Sequence, residues 1–135
     1  MNSYYDRTHL EQIPELIRLA PEAAASFLQF EEQLYHGSTS KLPMRTKELI
    51  AVTVAHVTGC PYCIDVHVRK YKEQGGTMEE IVEALLVAAA TRSGAILSHG
   101  VQALLAYNRQ APAPEAGTHR DQQGSGSSGT PECFC

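Results

Sequence analysis

Two cysteines and a histidine make the most chemically suggestive pattern in this sequence. The pattern is Cys60-Pro61-Tyr62-Cys63 followed by His67. Pro61 is typical of a first helical turn, which would put Cys60 at a helix N-terminus, where unpaired N–H groups and the helix dipole favour a thiolate. His67 follows Cys63 by four residues and would share its helix face, so its imidazole can take and return the thiol proton. The spacing therefore predicts a dithiol/disulfide centre with its own base.

Glu48 is the predicted fourth member of this centre. It lies twelve residues before Cys60, inside the mostly apolar segment 44–57. Gly59 predicts a left-handed C-terminal cap, which would make the helices before and after it antiparallel neighbours. At about 1.5 Å per residue, Glu48 and His67 then differ by roughly 6 Å along the helix axes. Two side chains, with or without a bridging water, can close that gap, so Glu48 is expected to orient the imidazole.

The remaining sequence predicts one all-α domain of about six helices over residues 1–109, without a convincing strand. The segment 8–20 is amphipathic, and Pro21 opens the next helix. The site helix is expected to end at Gly75-Gly76. The other predicted features are a loop at 36–43, a capping box at Thr77 and Glu80, a break near Ser93-Gly94, and a last helix to about residue 108.

Residues 110–135 differ in composition from the helical part. They are rich in Gly, Ser and Pro and have almost nothing to bury, so the sequence predicts a disordered tail. The tail ends in a second cysteine pair, Cys133 and Cys135. One interpretation gives this pair no role. The other treats it as a tethered dithiol, since a flexible linker of about 25 residues spans roughly 25–30 Å and could reach the Cys60/Cys63 centre.

The bulk properties exclude several classes of function. The net charge is −4, with 43% hydrophobic and 19% charged residues, and no basic stripe suggests contact with nucleic acid. The N-terminus lacks the apolar region of a signal peptide. The longest apolar stretch, 81–90, falls short of the roughly 20 residues that span a bilayer. We therefore expect a cytoplasmic protein without a membrane partner, whose cysteines serve redox chemistry or metal binding.

The chain resembles the alkyl hydroperoxidase D (AhpD) family of the carboxymuconolactone decarboxylase superfamily. The resemblance covers about residues 15–108, and its signature is Glu48, eleven intervening residues, the CxxC and the histidine four residues later. It implies an AhpD-like helical bundle, assembly as a trimer or hexamer, and reduction of peroxides or electron transfer to a peroxiredoxin. Some members have a histidine immediately before the second cysteine, where this chain has Tyr62.

The resemblance also implies a role for each residue of the signature. Cys60 and Cys63 would form the redox pair, His67 would shuttle the proton, and Glu48 would be the carboxylate behind it. The residues themselves give two possible orders of attack: the helix terminus favours Cys60 as the more ionised thiol, whereas the neighbouring His67 favours Cys63. We expect Cys63 to meet peroxide and become a sulfenic acid, which Cys60 resolves to a disulfide. Tyr62 is expected to line the site without chemistry.

Other interpretations remain open at this stage. A lactone or keto-acid decarboxylase could use Glu48 and His67 as acid and base, and a non-enzymatic module could bind metal or sense oxidants through the cysteines. His56 and His99 are more typical of hydrogen-bonded helix histidines, with a contact to the site or a subunit interface as the alternative. No Gly-rich fingerprint indicates a nicotinamide or flavin, so no cofactor or metal is expected, and electrons would come from a protein or small-thiol donor.

Overall fold

The computed structural model describes residues 5–109, and helices account for most of them. A 3-10 helix covers Arg7–Gln12. The α-helices are α1 (Ile13–Arg18), α2 (Pro21–His36), α3 (Met44–Thr58), α4 (Pro61–Glu73) and α5 (Met78–Arg109). Residues 5–109 contain no strand, which confirms the all-α prediction. The predicted tail, with Cys133 and Cys135, lies outside the described residues.

Helices α3 and α4 form the central pair of the fold, and a tight turn connects them. Gly59 ends α3 in the left-handed conformation, with φ +70°, as its sequence context predicted. Its N–H and that of Cys60 bond back to carbonyls of the last turn, to His56 at 3.3 Å and Ala55 at 3.0 Å. Pro61 then begins α4. The turn returns the chain along α3, so residues of the two helices face each other.

The buried core is small and joins three helices. Val52 of α3, Tyr71 of α4 and Ile81 of α5 are its buried members, and Leu49, Val68 and Leu85 pack around them. The Tyr71 hydroxyl donates a hydrogen bond of 2.6 Å to Glu80 at the start of α5. Many large apolar side chains outside this core stay exposed on the single chain, including Phe27, Phe30, Ile50, Val54 and Leu97.

The start of α5 carries the predicted capping box. The Glu80 carboxylate accepts the Thr77 N–H at 2.9 Å, and the Thr77 hydroxyl accepts the Glu80 N–H at 3.3 Å. Arg45 of α3 forms an ion pair with the same carboxylate. Hydrogen bonds from Tyr71, Arg45 and the Thr77 N–H lower the pKa of Glu80 from its ordinary 4.5 to about 2. One side chain therefore links the first turn of α5 to α3 and α4.

This pKa shift predicts an acid-dependent loss of stability. The folded pKa of Glu80 lies below the unfolded one, so the unfolded chain binds more protons between them. The contribution is fully present above pH 4.5 and is lost as the pH falls towards 2. Urea unfolding at pH 6, 4 and 3 should show a steeper decline for wild type than for Glu80→Gln. Glu79→Gln, at an exposed neighbour in the same turn, should keep the wild-type decline, and identical curves for all three proteins would contradict the prediction.

Helix α5 runs without interruption from Met78 to Arg109, so the predicted break near Ser93-Gly94 is wrong. A glycine inside a helix costs only about 1 kcal/mol relative to alanine, and good helix formers surround this one. The Ser98 hydroxyl donates within the helix to the Gly94 carbonyl at 2.9 Å. The predicted segment 8–20 is instead divided, because Pro14 falls in the first turn of α1 and cannot continue the preceding 3-10 helix.

The chain separates into two units, one ending at His99 and the other beginning at Gly100. All of the core and site described here belongs to the first unit. By length and composition alone, α5 is apolar enough to cross a membrane, with a mean hydropathy of 1.5 over 18 residues. The core helix of a soluble protein passes the same test, but only 6% of this window is buried in the single chain. The 18-residue apolar window is longer than the apolar stretch 81–90 noted in the sequence, because the helix continues past Gly94.

Candidate functional site

The two cysteines lie together at the start of α4, joined by a disulfide with a Cα–Cα distance of 5.3 Å. Cys60 is the N-cap residue of the helix, and its sulfur accepts the backbone N–H of Cys63 at 3.2 Å. Both side chains are half-buried. An N–H directed at sulfur at the positive end of a helix stabilises negative charge there, so this location favours a thiolate once the disulfide is reduced.

His67 and Glu48 form a direct hydrogen-bonded pair between α4 and α3. Nδ1 of His67 lies 2.7 Å from Oε2 of Glu48, so the predicted contact exists without a bridging water. Glu48 is only 3% exposed, whereas His67 is 21% exposed. With Nδ1–H donating to the carboxylate, the neutral imidazole keeps Nε2 free to accept a proton. His67 lies one turn after Cys63 on the same helix, so the imidazole and the Cys63 sulfur share one element.

An N-terminal segment, residues 5–12, packs on the first turns of α4. The Tyr62 hydroxyl lies 3.0 Å from Nδ1 of His9, and the Tyr5 ring meets the Tyr62 ring edge-on at 4.9 Å. Arg7 binds the Asp65 carboxylate with two hydrogen bonds of 2.7 and 2.6 Å and lowers the pKa of that carboxyl. Tyr62, between the two cysteines, is therefore held by a segment more than 50 residues away in sequence.

Tyr35 of α2 is a site residue that the sequence analysis missed. Its ring lies nearly parallel to the His67 ring, with centroids 6.4 Å apart and an interplanar angle of 13°. Burial, followed by the nearby Glu48 and Glu31 carboxylates, raises the pKa of the Tyr35 phenol. No fixed spacing in sequence relates α2 to α4, because the loop between α2 and α3 decides where α2 ends. Only the folded chain could identify this contact.

A cavity of about 630 Å³ lies beside the buried carboxylate, between α2 and the α3–α4 pair. Tyr35, His36, Glu48 and Lys70 are among its lining residues, and the two cysteines of α4 are not. The cavity therefore gives a small molecule access to Glu48 from a side of the α3–α4 pair on which the two sulfurs do not lie. The lining mixes polar and apolar groups, so water can occupy this space.

The other candidate residues are placed away from this centre. Nδ1 of His56 bonds to the Val52 carbonyl of its own helix at 2.8 Å, and His56 lines a separate cavity between α3 and α5. His99 is exposed on α5. Within residues 5–109, no group of three or more His, Cys, Asp or Glu side chains could hold a metal ion. The second cysteine pair, Cys133 and Cys135, lies outside that range.

The helical packing, the helix-start cysteine pair and the carboxylate–imidazole pair define a small all-α protein with a dithiol centre. Sequence comparison identifies the class more closely: the profile of the Carboxymuconolactone decarboxylase family matches residues 21–106, and the chain belongs to that family.

Two relatives match over 63 residues, or 47% of this chain. "Uncharacterized protein 4 in cox locus" of Paracoccus denitrificans is 54% identical over 57% of its own length. "Uncharacterized protein YdfG" of Bacillus subtilis (strain 168) is 30% identical over 41% of its length. The chain thus spans about half the length of the curated relatives it matches, and their names assign no activity.

Proposed function

We propose that this protein is a thiol-dependent oxidoreductase of the alkyl hydroperoxidase D type. It would act in the cytoplasm, reducing hydroperoxides or the disulfides of partner proteins. The observation that carries the proposal is the combination of a Cys60–Cys63 disulfide at a helix start with a histidine one turn further, held by a buried carboxylate at 2.7 Å. A pair of thiols supplies two electrons, and the imidazole can take the thiol proton and return it.

The proposed oxidising half begins at Cys63, because His67 shares its helix. The imidazole takes the Cys63 thiol proton, and the thiolate attacks the outer oxygen of the hydroperoxide ROOH. An S–O bond forms as the O–O bond breaks, and RO⁻ leaves as ROH with the proton from His67. Cys60 then attacks the sulfenic sulfur, forming the disulfide and releasing hydroxide, which takes the Cys60 proton to become water. Two electrons and two protons from a protein or small-thiol donor restore the dithiol.

Counting thiols before and after one equivalent of cumene hydroperoxide tests this proposal. The reduced protein should lose two thiols per chain, and mass spectrometry should map the new disulfide to Cys60–Cys63. Because the tail carries two further cysteines, the mapping must separate the four positions. The absence of a Cys60–Cys63 disulfide both after cumene hydroperoxide and after an excess of oxidised glutathione would reject a redox role.

A decarboxylase or hydrolase acting on a lactone or keto acid is the second candidate. The Glu48–His67 pair can act as acid and base without either sulfur, and the 630 Å³ cavity lined by Glu48 offers room for a small organic acid. The double variant Cys60→Ser/Cys63→Ser separates the two functions. It should lose every redox activity under our proposal, whereas a lactone or keto-acid activity would survive it.

We also propose that the chain works as a homo-oligomer, a trimer or hexamer. An apolar groove of about 630 Å³ runs between α3 and α5, lined by Ile50, Val54, Val57 and Val87 among others. These four side chains are exposed on the single chain. Such a continuous apolar surface, beside so small a core, favours burial against further subunits.

The oligomer proposal predicts that a charge in this groove weakens assembly. Val54 is 53% exposed, so Val54→Lys should leave the subunit folded. It should raise the dissociation constant at least about tenfold, because a lysine would lose hydration on burial. Light scattering after size-exclusion chromatography measures the effect, with Leu19→Lys, at the C-cap of α1, as the matched exposed control. A wild-type protein that is monomeric at micromolar concentration would contradict the proposal.

A further inference from the structure

The last turn of α2 is fixed to α3 through Lys47. The Lys47 ammonium donates to the backbone carbonyl of Leu34, to that of Tyr35 at 3.4 Å, and to the Ser40 hydroxyl. The last carbonyls of a helix have no partner within the helix, and a cation beside them also meets the negative end of the helix dipole. Lys47 therefore holds the last turn of α2 against α3, and it immediately precedes Glu48 on α3.

The Tyr35 ring extends from this fixed turn onto α4. It lies 6.4 Å from the His67 ring in a nearly parallel arrangement, and the Lys70 ammonium lies 5.9 Å from its centroid. His67 and Lys70 are three residues apart and so are neighbours on one helix face. The ring is thus attached at two points to the face of α4 that carries the imidazole, by stacking and by a cation–π contact.

We propose that Tyr35 is a positioning residue for His67, and that Lys47 acts on the same imidazole through Tyr35. The inference rests on the proposed function for its consequence in catalysis, but not for its geometry. With Nδ1–H on Glu48 and one ring face against Tyr35, the plane of the imidazole is set, and so is the direction in which Nε2 points.

The ring also protects the Glu48–His67 hydrogen bond from water. The cavity beside this pair is lined by both Tyr35 and Glu48, so removing the ring would widen the approach of solvent to the carboxylate. A hydrogen bond in an environment with less water and a lower dielectric constant is stronger than one in water. Burial, followed by the Glu48 and Glu31 carboxylates, raises the pKa of the Tyr35 phenol above its ordinary value of 10, so the ring adds no second negative charge beside the pair.

Four variants separate positioning from simple packing. Tyr35→Phe keeps the ring, Tyr35→Leu removes it, and Lys47→Met removes the bonds to α2 but keeps the aliphatic stem. Phe30→Leu removes an aromatic ring from the same helix at a position that is 61% exposed. It is the matched control for ring loss on α2.

The first measurement needs no turnover. In protein labelled with ¹⁵N-histidine, the exchange of the His67 Nδ1 proton with water is followed by NMR, the signal being identified by its loss in His67→Gln. Exchange should be about tenfold faster in Tyr35→Leu, and faster by a smaller factor in Lys47→Met, because the hydrogen bond opens to solvent more often. Tyr35→Phe and Phe30→Leu should match wild type within about twofold. Tyr35→Leu/Lys47→Met should exchange no faster than Tyr35→Leu, since both act through one ring.

The second measurement is single-turnover thiol oxidation by cumene hydroperoxide. Tyr35→Leu should lower the rate about tenfold, because the His67 imidazole is misplaced rather than removed. Tyr35→Phe keeps the ring and should oxidise at about the wild-type rate. Unchanged exchange in a folded Tyr35→Leu, or in Lys47→Met if the first variant does not fold, would overturn this inference. If wild type itself shows no thiol oxidation, the proposed function fails, and the exchange data still decide the role of Tyr35.

Discussion

The Cys63→Ser substitution should lower the rate of peroxide reduction by a factor on the order of 10³ or more, because the attacking sulfur is lost. Serine at Cys60 should have a different effect. The Cys63 thiolate can still consume one equivalent of hydroperoxide, but the sulfenic acid then has no resolving thiol one turn away, and the reaction stops. The Cys60 sulfur accepts a hydrogen bond from the Cys63 N–H, so a substitution at Cys60 also changes the surroundings of Cys63. The two cysteines are nevertheless not equivalent.

Stopped-flow kinetics with a sulfenic-acid trap measures this difference. The trap should label Cys63 in Cys60→Ser and neither residue in Cys63→Ser. The double variant Cys133→Ser/Cys135→Ser should undergo the first turnover like wild type, since one equivalent of oxidant requires only the helix-start pair. Labelling of Cys60 in Cys63→Ser would reverse the order of attack. Full turnover in both single variants would remove the dithiol from the mechanism.

The Glu48→Gln substitution should have the second-largest effect on activity and should lower the rate of thiol oxidation by about 10²-fold. The amide oxygen can still accept the Nδ1–H of His67, so the ring keeps its orientation. The negative charge that stabilises the imidazolium while it holds the thiol proton is lost, and the neutral amide of a side chain only 3% exposed does not replace it. The effect should therefore fall on the rate of the chemical step and leave the apparent affinity for peroxide little changed.

The rates of Glu48→Gln, His67→Gln and the double variant test this coupling. The double variant should be about as slow as His67→Gln alone, because the carboxylate acts only through the imidazole. Glu73→Gln is the matched control, since it removes an exposed carboxylate from α4 whose ion-pair partner within residues 5–109 is Arg69 at 3.7 Å. A wild-type rate for Glu48→Gln would reduce this carboxylate to a structural partner of His67.

The centre of the site could be read from local sequence because its geometry is local. A glycine with positive φ, a proline at the first helical position and a cysteine between them define one tight turn. The residues on either side of that turn are then paired by the regular rise of two helices. The contact of His67 with Glu48 follows from counting along that hairpin, although counting alone left open whether water would bridge them. The all-α fold followed in the same way from periodicity and caps.

Contacts between elements separated by irregular chain could not be read in this manner. Tyr35 lies beside His67 although a loop and a whole helix separate them in sequence, and Tyr62 meets His9 in the same region where Arg7 pairs with Asp65, 58 residues away. No periodic pattern encodes such pairs, since loops and side-chain packing set them. The continuity of α5 through Gly94 was also decided by the helix as a whole, where one glycine's cost is outweighed by its neighbours. Local rules thus placed the two sulfurs, the imidazole and the carboxylate, and tertiary packing decided what surrounds them.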